Sequence, residues 1–413
     1  MSTSLPVAAS QPPSDRVYFP GLNGIRALAA FSVLIAHTYE FKWRMGIVLP
    51  PDYPRFLFTG LHAVIIFFVL SGFLITYLLL VEIHKTGTVS VPKFYLRRAL
   101  RIWPVYYVTV FFGLIVIPLI VQASGFTGVF VPEQINGIQW VLYLLLAPNA
   151  VGFFGTPSSI TAQLWSIGIE EQFYIIWPVL SKIFARRMLV ALIGVIAFKV
   201  FIMNYQQTIV VDNNLPLWYR NFIAFVNNLR FENMAVGGLG AYILFHRHWL
   251  LKLIYHPLVE KLALLGVAYI ALFFDHWDDP RVNILLTIPF IIFIMNVCSN
   301  PRSTLKLENR LFNWLGQISY GIYMYHLGIV YLVMLFFTFV DLSNWNGWVF
   351  NILLHLIVIG LTLAVSEASR RWFEGPFLRL KSRFTIVKSG LSVKEDPPQP
   401  AAADANLPVQ FNK

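Results

Sequence analysis

Charge and cysteine are both scarce in this 413-residue chain, and each scarcity excludes something. Only 12% of the residues are Asp, Glu, Lys or Arg, about half the fraction usual in soluble domains, while 57% are hydrophobic. A mean hydropathy of +0.65 over the whole length is too high for one anchor on a soluble domain, so most of the chain belongs in an apolar solvent. The single cysteine, Cys298, lies in an apolar run. It excludes an intramolecular disulfide and a cysteine-cluster metal site, and leaves the redox compartment unread. Acidic residues are outnumbered 20 to 31, for a net charge of +11. Such an excess invites a nucleic-acid partner, but the cations cluster in loops between apolar runs, which argues against nucleic acid. Residues 1–18 have no apolar core, so they do not form a signal peptide. No internal repeat is visible.

What the sequence does have is long hydrophobic runs. Ten spans are predicted, at 22–40, 60–82, 103–122, 163–183, 188–206, 221–245, 260–275, 281–299, 311–338 and 346–372. Most approach the roughly 20 residues that a helix needs to cross the hydrocarbon; the first, fourth and seventh are shorter or more polar. Residues 137–147 are apolar but too short to span, and read as a half-inserted or surface helix. The fold class is therefore all-α: a polytopic membrane protein with about ten transmembrane helices and no extramembrane domain. One membrane domain, 19–385, lies between polar, proline-bearing tails, 1–18 and 386–413, whose composition predicts disorder.

Charge asymmetry supports an even number of spans. With the N-terminus in the cytoplasm, the inner loops carry clusters such as Lys93, Arg97, Arg98 and Arg101, then Lys182, Arg186 and Arg187, then Arg302, Lys306 and Arg310. The outer loops hold only Lys42, Arg44, Arg55, Arg220 and Arg281. This is the positive-inside pattern at every loop pair but the first, and it puts both termini in the cytoplasm. Residues 123–160, which contain no Lys or Arg, then face outward.

Ionisable residues inside spans are costly and point to function by default. Arg26 and His37 are eleven residues apart, three helical turns plus about 20°, so they share one face and are separated by about 16 Å along the axis. The topology puts Arg26 near the cytoplasmic surface and His37 deeper. Histidine titrates near neutrality and so suits proton transfer; a snorkelling arginine and a histidine hydrogen-bonded between helices would also account for the pair. Arg97, Arg98 and Arg101 form a cationic face beside the bilayer, suited to phosphate or simply to anionic lipid. In the fourth span Ser166, Glu170 and Tyr174 fall on one stripe, and Glu171 points about 100° away. Three consecutive polar residues, Glu170 to Gln172, predict a cavity beside that helix. Arg230 and Glu232 are two apart and need separate partners, with Glu170 a candidate for Arg230. Ser319, Tyr323 and His326 form a further polar stripe, and Ser71-Gly72 is a small pair that close helix packing explains. Lys199, His355 and Glu367 read as packing or snorkelling groups.

These blocks, in this order, resemble the acyltransferase-3 family of integral membrane O-acyltransferases. The resemblance rests on Gly21–Ala30 with its Arg26, on His37 after ten intervening residues, and on Phe67–Ile75 and Tyr95–Pro104. It continues through Trp165-Ser166, Glu170 and Phe173-Tyr174, Arg230-Phe231-Glu232, Ser319–Tyr323 with His326, and Phe373–Phe377, where Gly375 replaces a more usual lysine. It implies an O-acyltransferase, most plausibly an O-acetyltransferase, in the cytoplasmic (inner) membrane of a bacterium. Such an enzyme takes its acyl group from a cytoplasmic acyl-CoA co-substrate such as acetyl-CoA, and needs no permanently bound cofactor or metal. The acceptor is a hydroxyl of a carbohydrate or cell-surface glycan. Some relatives carry an additional extracytoplasmic hydrolase-like domain, and none is expected here. The implied catalytic residues are His37, Glu170 and Arg26, with His37 either general base or transient acyl carrier and Glu170 orienting it. Arg97, Arg98, Arg101, Tyr95 and Ser71 would bind acyl-CoA. Trp165, Tyr174, Arg230, Glu232, Tyr323 and His326 would line the acceptor path. The competing expectation is a transporter or flippase for a polar lipid or glycan, although such proteins usually show repeats and matched helix breaks.

Overall fold

A computed structural model describes residues 16–47, 60–126, 134–210, 215–273, 280–342 and 345–389. The disorder expected for 1–15 and 390–413, and the outer position expected for Arg55, fall outside the described residues. The helices are α1 (Leu22–Arg44), α2 (Gly60–Thr86), α3 (Val91–Phe111), α4 (Ile117–Ser124), α5 (Gly137–Leu144), α6 (Leu164–Ile183), α7 (Met188–Val210) and α8 (Leu217–Asn228). They continue as α9 (Phe231–Phe245), α10 (Leu250–Ile254), α11 (Pro257–Phe273), α12 (Pro280–Ser299), α13 (Arg310–Thr338), α14 (Gly347–Ala368) and α15 (Gly375–Ser382). Wider π-type turns, Phe112–Val116 and Ser369–Glu374, join α3 to α4 and α14 to α15. Among the described residues every predicted span but the sixth is one helical stretch, and the protein is an all-α integral membrane protein. By length and composition, five helical stretches are able to cross a membrane: Gly60–Thr86, Val91–Ser124, Met188–Ile209, Arg310–Thr338 and Gly347–Ser382. The other predicted spans are shorter or interrupted by polar residues, whose partners lie in the bundle.

Helix ends follow local chemistry. Asn136 and Gln139 form a reciprocal capping box at the start of α5. Asn309 and Asn346 accept backbone N–H groups at the starts of α13 and α14. The expected sixth span, 221–245, is broken: α8 stops at Asn228 and α9 begins at Phe231. The buried Lys199 ammonium bonds the carbonyls of Val226 (3.0 Å) and Asn227 (2.6 Å) at the end of α8, where the Val226 oxygen also accepts the Leu229 N–H.

Packing is closest where side chains are missing. A Cβ on Gly72 would collide with the carbonyl of Met234, and one on Gly237 with that of Val69, so α2 and α9 touch backbone to backbone. Helices α1 and α13 run parallel, joined by Asn23–Asn313 (3.1 Å), His37–His326 (2.9 Å) and the Phe41–Tyr331 ring contact. Gly316 presses on the backbone of Asn23 in the same seam.

The inner ends of both tails are ordered, which corrects the expected boundaries. A two-residue strand β1 (Arg16–Val17) pairs in parallel with β2 (Lys388–Ser389). Val17 and Tyr18 are buried, and the Tyr18 hydroxyl and the Gly21 N–H both bond Glu308. Apolar burial and a carboxylate partner outweigh the polar composition that suggested disorder. The pairing also brings the first and last described segments to one end of the bundle. There they meet the α12–α13 connection and Arg97, which donates to the carbonyl of Phe384 (3.1 Å). Phe41, Ile47, Val121 and Ile160 cluster at the opposite end.

Candidate active site

Five elements converge on a cavity of about 110 Å³. Helix α1 supplies Arg26, α2 supplies Ser71, α3 supplies Arg98 and Arg101, α6 supplies Ser166, Glu170 and Tyr174, and α13 supplies Ser319, Tyr320 and Tyr323. The stripe Ser166–Glu170–Tyr174 predicted from i, i+4 spacing is the face that α6 turns to it. Tyr174 donates its hydroxyl proton to Glu170 (2.7 Å), and its oxygen meets the Ser71 hydroxyl at 2.5 Å, so Ser71 is the donor in that second bond. The Arg98 guanidinium lies over the Tyr174 ring, 5.3 Å from its centroid, and 5.5 Å from that of Phe94. A carboxylate and three guanidinium groups thus share one small polar chamber, walled by Val64, Phe67, Phe68 and Ile167. In these surroundings each charge depends on the others, since desolvation would otherwise make it costly.

A second cavity, of about 60 Å³, adjoins the first and shares Leu74, Ile75, Arg98 and Arg101 with it. It adds Glu82, Arg97, Lys381 and Thr385, and lies where the two tails enter the bundle. Arg98 and Arg101 therefore stand between the end of the bundle and its interior. Arg97 differs from them, because its guanidinium is held by the buried Glu82 carboxylate at 3.3 Å as well as by Phe384. Glu82 also accepts the backbone N–H of Ser90. Sequence reasoning missed Glu82, Tyr320 and Lys381. None belongs to a periodic polar stripe, and only the helix packing brings them to the site.

Deeper along α1, His37 faces His326 of α13. The His37 Nδ1 to His326 Nε2 distance is 2.9 Å, and the rings are 25° from coplanar with centroids 5.1 Å apart. His326 is fully buried, and its Nδ1 lies 2.7 Å from the Tyr323 carbonyl and 3.2 Å from that of Ile322. Tyr323 connects this pair to the polar cavity. Its ring is 5.8 Å from His326 and 5.8 Å from Phe67, and its hydroxyl bonds Ser166 at 2.6 Å.

Several expected placements differ. Glu170 engages Tyr174 in the arginine-lined chamber, and among the described residues no hydrogen bond joins it to His37; His326 occupies that position. Tyr95 lines neither cavity. It sits off the Phe94–Arg98–Arg101 stripe, so its hydroxyl reaches over the bundle surface to the Ile175 carbonyl (2.6 Å). The Ser71-Gly72 pair divides its two readings, since Gly72 packs on α9 while Ser71 faces the chamber. Arg230, suggested as a partner of Glu170, lies at the α8–α9 break and lines neither cavity. Glu232 is buried 3.6 Å from Lys199 at the same break, away from the chamber. Trp165 packs edge-on against Phe68, one residue short of the α6 stripe. Glu171 points to α3 and accepts from the Trp103 indole (2.8 Å).

An all-helical membrane bundle with a buried arginine–carboxylate chamber and a histidine pair defines the class of protein. The profile of the acyltransferase domain family matches residues 19–367, and the chain belongs to that family. The chain is similar to YrhL of Bacillus subtilis, 28% identical over 384 residues, covering 87% of this chain and 55% of that protein. It is also similar to the peptidoglycan O-acetyltransferase OatA of Listeria monocytogenes, 26% identical with 88% and 56% covered. The O-acetyltransferase OatA of Staphylococcus aureus is 26% identical, with 87% and 57% covered. The chain spans little more than half the length of these relatives. No solved structure matches it.

Proposed function

We propose that this protein is a membrane O-acyltransferase that moves an acetyl group from acetyl-CoA on the cytoplasmic side to a hydroxyl of a cell-wall glycan. The observation that carries this reading is the continuous polar route: Arg98 and Arg101 at the bundle end, Arg26 and Glu170 in the chamber, then Tyr323 and the His37–His326 pair. Arginine forks match phosphate oxygens, so Arg98 and Arg101, with Lys381 beside them, would hold the CoA phosphates. The pantetheine arm would enter past Arg26, with Ser71 and Tyr174 on the wall. The excess of cations at this end supports reading it as the cytoplasmic face.

His37 then acts as general base. Its free nitrogen takes the proton of the acceptor hydroxyl while the hydroxyl oxygen attacks the thioester carbonyl. The tetrahedral intermediate collapses by breaking the carbon–sulfur bond, and the departing CoA thiolate recovers the proton from His37. Glu170 sets the charge and orientation of Arg26 and Arg98 rather than orienting His37. The peptidoglycan acceptor rests on the names of the relatives, and the rest on family membership and geometry.

The test is His37→Ala in a host lacking the enzyme, read by mass spectrometry of O-acetylated wall glycan and by purified protein incubated with labelled acetyl-CoA. Loss of transfer with retained acetyl-CoA binding is expected. Unchanged acetylation overturns the role of His37, and a purified protein that does not bind acetyl-CoA overturns the donor and favours a transporter.

A further inference from the structure

We propose that His326 is a positioning residue that fixes the tautomer of His37, leaving the His37 Nε2 lone pair free for the acceptor proton. The proposal rests on the reading of His37 as general base. It follows from a chain of donors and acceptors that admits one neutral assignment. The Tyr323 and Ile322 carbonyls can only accept, so the proton of His326 sits on Nδ1, 2.7 Å from the nearer oxygen. The neutral ring then has a bare Nε2, which must accept. The only polar atom facing it in this bond is His37 Nδ1 at 2.9 Å, so His37 carries its proton on Nδ1. A neutral His37 is therefore unprotonated at Nε2. With the nitrogens 2.9 Å apart and the centroids 5.1 Å apart, the two centroids and two nitrogens lie nearly in line, which keeps both nitrogens near each other's ring plane, where lone pair and N–H lie.

Burial enforces this assignment. His326 is fully buried, so reversing the chain would turn a bare Nδ1 lone pair onto two carbonyl oxygens that can only accept. His37 is not sealed in the same way, because its side chain is about 25% exposed. The charged groups around it lie towards the far end of α1 and on α14: Glu40, 3.9 Å from Nε2 and paired with Arg44, and Lys42, bonded to Asn351 near His355. An acceptor hydroxyl at Nε2 meets a base whose other nitrogen is already committed. Triad chemistry assigns this orienting work to a carboxylate; here a second histidine backed by a carbonyl does it.

Two substitutions separate orientation from folding. His326→Asn keeps a donor for the Tyr323 carbonyl but offers His37 no acceptor at the Nε2 position. His326→Gln places an amide oxygen near that position and restores the acceptor. In membranes, His326→Asn should lower kcat about 100-fold or more, on the scale of a lost acid–base contribution, with KM for acetyl-CoA unchanged and the pH profile altered. His326→Gln should stay within about tenfold of the wild type. Equal activity of His326→Asn and wild type overturns the proposal, and so does equal loss in both variants. Nitrogen-15 chemical shifts of His37 in the wild-type protein in lipid decide the matter independently of activity and of variant folding. A protonated Nδ1 and bare Nε2 are expected, and a protonated Nε2 at neutral pH sinks the proposal. Failure of the underlying reading is distinguished because His37→Ala would then remain active whatever tautomer the spectra report.

Discussion

At the scale of single residues, neighbouring arginines have different roles. Arg98 and Arg101 line both cavities, whereas Arg97 is committed to Glu82 and a backbone carbonyl. Arg98→Ala and Arg101→Ala should each raise KM for acetyl-CoA by about tenfold, the equivalent of a charge-assisted bond of about 1.5 kcal/mol. Arg97→Ala should act on stability instead, because it strands the Glu82 carboxylate, which is only 2% exposed. Titration of acetyl-CoA against each purified variant, alongside thermal unfolding in detergent, checks the division. An Arg97→Ala protein with wild-type melting and a raised KM would reverse it. The sequence places these three cations on one helix face, but whether a carboxylate from α2 already occupies one of them is a tertiary fact.

At the scale of elements, the α8–α9 break depends on Lys199. Its buried ammonium bonds the carbonyls of Val226 and Asn227 and faces the buried Glu232. Lys199→Met should destabilise the protein by about 3–5 kcal/mol, since it leaves an uncompensated buried carboxylate and removes the ammonium from the Asn227 carbonyl. Adding Glu232→Met should recover part of the loss. Unfolding midpoints of the two single variants and the double variant measure it; strictly additive losses would show that the pair is not coupled. Periodicity registered 221–245 as one hydrophobic stretch. It carried no sign that Leu229 and Arg230 would leave the helix, because the compensating lysine comes from α7.

At the scale of the whole molecule, β1 meets β2 at one end of the bundle, and the proposed topology puts that end in the cytoplasm. In a Cys298→Ala background, Thr88→Cys and Arg302→Cys, both exposed at the tail end, should react with a membrane-impermeant maleimide only after permeabilisation. Thr156→Cys, exposed in the connection between α5 and α6, should react in intact cells. Reaction of Thr88→Cys and Thr156→Cys from the same side would overturn the arrangement.

The sequence by itself determined the solvent and most of the helices, because hydropathy acts segment by segment and requires no knowledge of neighbours. It also determined which faces of α1, α6 and α13 are polar, since a helix repeats every 3.6 residues whatever it packs against. Only the tertiary structure decided the pairings. Glu170 and His37 are both costly buried groups in the sequence, and nothing local says that one meets Tyr174 and arginines while the other meets His326. That choice follows from the backbone-close seams at Gly72 and Gly316, which set how far each helix slides along its neighbour and so which polar residues reach the same depth.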